Sequence, residues 1–167
     1  MILKKNVHAA LLGAVMLCVA TAAGAAKSSS EFLTDAIKGD NSEIKLGKLA
    51  EAKGNSDGVR NLGQTLVSDH TKAKQDVSSA ATALGITPTD DAAPAALAEY
   101  TKLNGMSGAA FDHEFVSYMI SDHKKDIAEF EAQAKGSDKT GTLAQQQLPT
   151  LKKHLQIAQS LQSQASP

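Results

Sequence analysis

The tripeptide Ser-Asp-His occurs twice, at Ser68-Asp69-His70 and at Ser121-Asp122-His123. The two copies are 53 residues apart, and each has a lysine two places on, Lys72 and Lys125. Imidazole titrates near neutrality and offers a lone pair to a metal, so a repeated histidine could build one site from two halves. Aligning the copies sets Leu66 over Met119, Val67 over Ile120 and Val77 over Phe130. At helical spacing, His70 shares its face with Val59, Gly63 and Val77, and His123 shares its own with Val116, Met119 and Phe130. His154 stands likewise with Leu151, Ala158 and Leu161, and Glu43 with Ala36, Gly47 and Ala50. Each of these side chains is therefore expected to point inward. Three neutral imidazoles and one carboxylate suit a single divalent transition metal, zinc, copper, iron or manganese. The rival expectation is a metal-free network of Glu43, His70, His123 and His154, because buried polar groups commonly satisfy one another. Asp69 and Asp122 lie about 100° round the helix from their histidines. They are expected to reach neighbouring groups or solvent, or to support the ligands from outside.

Such a site needs long elements to hold it at one level. Helical periodicity runs through nearly everything after Ser30. A first helix is expected from the serines at 28–30 to Gly54, with a weak point at Gly39-Asp40-Asn41. A second follows the cap Asn55-Ser56-Asp57 and ends at Gly85; a third spans about Ala109–Lys135. A fourth, capped by Ser137, runs from about Asp138 to Gln162, with Pro149 expected to kink it just before His154. No segment alternates like a strand. The expected fold is all-α: a four-helix bundle of ferritin-like arrangement with a long connection between helices 2 and 3. That connection, from Gly85 to Gly108, has room for a short helix at Ala95–Leu103 and is long enough to cross the length of a bundle. His154 is then about one turn off the level of the other three groups, and the exposed His113 has no role.

The first 25 residues read as a signal peptide, with Lys4 and Lys5, an apolar run and a cleavage site at Ala23-Gly24-Ala25. Residues 26–167 then form a single domain, exported to a periplasm or an equivalent compartment, with no transmembrane span in the mature chain. The one cysteine, Cys18, follows Leu17 rather than a small residue, which argues against a lipoprotein. Thiolate chemistry and disulfides are excluded from the mature part. Removing Lys4 and Lys5 takes the formal charge from −1 to −3, and no basic block interleaves with aromatics. Nucleic acid is therefore not an expected partner.

The segments "SEIKLGKLAEAKG", "VRNLGQTLVSDHTKA", "GAAFDHEFVSYMISDHKKDIAEFE" and "LPTLKKHLQIAQ" together resemble the bacterial domain of unknown function 4142 family. The resemblance covers Glu31 to about Leu161. It implies a ferritin-like helical bundle in the cell envelope with no established activity. Members often carry an outer-membrane label, yet nothing here alternates like a barrel strand. Ferritin-like di-iron enzymes need two Glu-x-x-His motifs. Val67 and Ile120 occupy the acid positions here, so a di-iron centre is not expected. The functional expectation is metal buffering or envelope stress tolerance, against a metal-free protein acting on an unidentified envelope partner. An enzyme is the least supported class, because no nucleophile-base pair is visible.

Overall fold

The computed structural model describes residues 26–165, and the expected signal peptide at 1–25 lies outside them. Five α-helices make up the described chain: α1 (Ser29–Lys53), α2 (Asp57–Ala83), α3 (Pro94–Asn104), α4 (Gly108–Gln133) and α5 (Lys139–Ala165). No strand is found among the described residues. The count is five rather than four because the short helix of the connection forms. It starts at Pro94, whose fixed φ suits a first turn, and it buries Ala96 and Leu103.

Local chemistry explains the boundaries. Ser28 and Ser56 cap α1 and α2 by accepting from the backbone N–H groups of Glu31 and Val59. α2 ends where Gly85 takes φ +74°, while the N–H groups of Gly85 and Ile86 donate to the carbonyls of Thr82 and Ala81. At the head of α5 it is Asp138, not Ser137, that accepts from Gly141 N–H. That bond holds the Asp138 carboxyl below its ordinary pKa. α5 continues through Pro149 without ending. α1 likewise runs unbroken through Gly39-Asp40-Asn41, because tertiary partners hold these weak helix formers. Asp40 meets His70, and Asn41 donates to the carbonyls of Thr89 and Asp91. Those bonds, with Ala93 N–H donating to Ser42 Oγ, pin the 84–93 connector along α1.

Contacts at the helix ends fix their directions. Lys27, before α1, pairs with Glu129 late in α4, whereas Asn55, after α1, bonds Asp112 early in α4. Hence α1 and α4 are antiparallel. Gly58 at the start of α2 meets Leu161 near the end of α5, so that pair is antiparallel too. α2 and α4 therefore run the same way, and the connection crosses the length of the molecule.

The core has two apolar parts with a polar layer between them. One part gathers Leu46, Leu62, Leu66, Phe111, Phe115 and Met119; the other gathers Phe32, Leu33, Ile37, Val77, Phe130 and Leu151. Between them in sequence, on α1, α2, α4 and α5, come Asp40 and Glu43, His70, His123 and His154, all buried. No helix of the described residues is long and apolar enough to cross a membrane.

The two hairpins are tied by Asp112, whose carboxylate accepts from the backbone N–H groups of Asn55 (2.7 Å) and Ser56 (2.8 Å). Charge-assisted bonds of this kind contribute about 1.5–3 kcal/mol. Asp112→Ala is expected to lower stability by about 2 kcal/mol in part-exposed surroundings. Urea unfolding would show this as a lower midpoint with an unchanged slope.

Candidate metal centre

Three helices deliver one histidine each to the polar layer. His70, His123 and His154 are 5%, 1% and 1% exposed, which is the burial of core leucines rather than of surface imidazoles. Their ring centroids stand 5.3–6.0 Å apart, and one ligating atom from each lies within 4.8 Å of the others. α2, α4 and α5 can bring them together because each histidine lies on the apolar stripe that its helix buries.

Hydrogen bonds to the outward nitrogens fix the tautomers. His123 Nδ1 is 3.0 Å from the Met119 carbonyl oxygen, an acceptor only, so Nδ1 carries the proton and donates. His154 Nε2 donates to Asp69 Oδ2 at 2.9 Å, and His70 Nδ1 donates to Asp40 Oδ1 at 2.9 Å. With the outward nitrogens donating, the nitrogens left to offer a lone pair are His70 Nε2, His123 Nε2 and His154 Nδ1. His70 Nε2 is buried without a partner. His123 Nε2 and His154 Nδ1 face each other at 3.3 Å. Turning that contact into a hydrogen bond would strip a donor from either the Met119 carbonyl or the Asp69 carboxylate. Burial, and then the neighbouring histidines, push the His123 pKa down to about 3. Burial also lowers that of His154, with Asp69 pulling it back. Both rings are therefore neutral near pH 7, the form that ligates metals.

Glu43, the fourth residue expected at the site, is buried but is not one of the three mutually close groups. Both its oxygens lack partners. Burial pushes its pKa well up, with Asp122, Asp126 and Asp40 adding to the rise. Because the folded protein keeps this proton where the unfolded chain has released it, stability falls as pH rises above the ordinary glutamate pKa of 4.5. Glu43→Gln removes that slope. Without metal, the variant is expected to gain on the wild type as pH rises above that value. Paired denaturant melts at pH 5 and pH 8 check this, and a difference that does not grow with pH counts against it.

Asp69 proves to be a partner of His154, in keeping with a supporting role, whereas Asp122 acts on Glu43 instead. Sequence reasoning missed Asp40, the carboxylate that orients His70. The usable signal was its spacing: Asp40 precedes Glu43 by three residues and so shares its side of α1. His113 is exposed.

Comparison with known proteins places the chain. The model of the family described as "Domain of unknown function (DUF4142)" matches residues 16–161, and the chain belongs to that family. No curated protein matches it. Among solved structures, a DUF305 fragment from Deinococcus radiodurans is similar at 14% sequence identity with a TM-score of 0.73. The match covers 84% of this chain and 99% of that one. At that identity the likeness concerns the fold alone.

Proposed function

For this member of the DUF4142 family, we propose that the polar layer holds one divalent transition-metal ion on His70 Nε2, His123 Nε2 and His154 Nδ1. The observation that carries the reading is the convergence of three lone pairs whose rings are each locked by an outward hydrogen bond. Metal-bound histidines are usually held in this way, by a carboxylate or carbonyl on the far nitrogen. The 3.3 Å between His123 Nε2 and His154 Nδ1 matches the edge of a tetrahedral zinc site, about 3.3 Å for bonds of 2.0–2.1 Å. Three neutral nitrogens suit zinc, copper, iron or manganese, and the set leaves one position for water or an incoming group. Glu43 is read as a buried acid beside the site rather than the fourth ligand. The competing metal-free network is disfavoured because it leaves His70 Nε2 unsatisfied.

The wider reading is a metal-buffering or stress-tolerance protein of the cell envelope. The lysine-led apolar leader supports export, and residues 26–167 form one domain in this reading. The two antiparallel pairs and their crossing connection support a ferritin-like arrangement. Metal analysis of the protein purified without a histidine tag, beside a His70→Ala/His123→Ala double variant, tests the centre. About one ion per chain is expected in the first and none in the second. Near-zero metal in both, after incubation with zinc, copper, iron and manganese salts in turn, would sink the idea.

The outer partners should matter measurably. Asp40→Asn and Asp69→Asn each keep an acceptor oxygen but lose the charge that makes the imidazole a stronger base. Each is expected to weaken zinc binding about 10–100-fold, the usual cost of losing such a partner. Competition with a chromogenic chelator measures it.

A further inference from the structure

A cleft of about 300 Å³ opens between α1, α2, α4 and α5, and its wall includes His70 and its partner Asp40. Both are 5% exposed, and each has one atom without a partner, His70 Nε2 and Asp40 Oδ2. His70 thus belongs at once to the cleft and to the group of three histidines. The grooves beside Asp112 and beside Tyr100 contain none of those histidines.

The acids of the cleft are unevenly paired. At the rim, Lys27 bridges Asp35 and Glu129 at 2.8 Å each, and Lys72 pairs with Asp76 at 2.9 Å. Lys125 stands 3.9 Å from Glu129. The rim acids are thereby largely neutralised. The wall also carries Asp126, Asp69 and Asp40, none of them in an ion pair with a lysine, although Lys74 and Lys125 act on Asp40 and Asp126 from a distance. Asp69 and Asp40 are engaged with His154 and His70. Asp126, one turn beyond His123 on α4, has no such engagement, and burial, followed by the Asp122 charge, pushes its pKa up to about 7, so it carries its charge above that pH. A pocket lined by one sign of charge and walled by apolar groups concentrates the opposite ion at its floor.

We propose that this cleft is the loading route of the metal centre. A hydrated divalent cation passes the neutralised rim, docks on the Asp126 carboxylate, and moves to His70 Nε2 as the first of its three nitrogens. The route rests on the metal reading given above. Asp126 acts here as a docking residue, not a ligand of the loaded site. It gives up the ion as the harder carboxylate–water shell is exchanged for imidazole nitrogen.

Stopped-flow mixing of metal-free protein with Co²⁺ at pH 8, where Asp126 is ionised, followed by the visible absorption of the bound ion, tests the route. The wild-type loading rate should fall as ionic strength rises. Asp126→Asn, which preserves shape, should load about tenfold more slowly at low salt and reach the same stoichiometry and final spectrum. Asp90→Asn, at an exposed site outside this cleft, should load at the wild-type rate. A salt-independent wild-type rate would overturn the route, and so would an Asp126→Asn rate equal to wild type. A changed final spectrum in Asp126→Asn would make that residue a ligand and equally overturn it. Absence of any cobalt spectrum in the wild type is a separate outcome that removes the metal centre itself, and the route with it.

Discussion

His123→Ala is expected to abolish stoichiometric metal binding, the largest functional effect of any single substitution in this chain. His123 is as enclosed as His154, both being 1% exposed. Its Nδ1 is held by the Met119 carbonyl on its own helix, and its Nε2 faces His154 at 3.3 Å. Removing an outer partner costs about 10–100-fold in affinity, so removing a ligand should cost more than 100-fold. Only two nitrogens on different helices would remain, and water would have to complete the shell. The thermal signature should follow. A metal present at 100 times its Kd stabilises the wild type by about 2.7 kcal/mol, whereas the variant should melt at one temperature with or without zinc. A metal-dependent Tm retained in His123→Ala would count against its role. Asp126→Asn should keep that dependence, which separates a ligand from a residue of the route.

The largest effect on stability is expected at Gly63, where α1 and α2 approach backbone to backbone. A Cβ there would stand 2.6 Å from the Gly47 carbonyl oxygen and 2.8 Å from the Glu51 amide nitrogen. A Cβ on Gly47 would meet the Gly63 carbonyl oxygen at 2.8 Å, so the clash is mutual. Neither neighbour is a side chain that can swing away, and the helices must separate. Alanine is worth about 1 kcal/mol over glycine inside a helix, but overpacking of this kind costs about 1–3 kcal/mol and more where backbone must move. With the cost at the upper end because backbone must move, Gly63→Ala should lose about 2 kcal/mol net, seen as a Tm lower by roughly 5 °C. Gly39→Ala is the matched control, because a Cβ there meets nothing within 4 Å. It should gain up to about 1 kcal/mol, and an equal loss at both positions would refute the close-approach explanation.

The helices were legible because apolar residues recur with period 3.6 over long stretches, and serines or glycines stand at most of the ends. The histidines were legible for the same reason: a polar side chain on an apolar stripe has nowhere to go but inward. What periodicity cannot supply is the rotation of one helix against another by a few tens of degrees. That rotation decides which acids act on the buried Glu43, Asp122 first and then Asp126 and Asp40. Asp40 escaped notice because Gly39-Asp40-Asn41 reads as a helix breaker in isolation. In the fold, each of its two polar residues has a distant partner. Gly47 and Gly63 were visible as core-facing positions, but the close contact between them is a property of the helix pair, invisible in either helix alone. The repeated Ser-Asp-His has a similar lesson. Its histidines converge, while its two aspartates part company, Asp69 to His154 and Asp122 to Glu43.

The central claim is that three imidazoles on three helices bind one ion. X-ray absorption at the zinc edge, on untagged protein loaded with one equivalent of zinc, addresses it most directly. The account predicts a first shell containing three imidazole nitrogens at about 2.0–2.1 Å, lost in His123→Ala. A shell of oxygens with no imidazole scattering, or the same spectrum in wild type and variant, would contradict it.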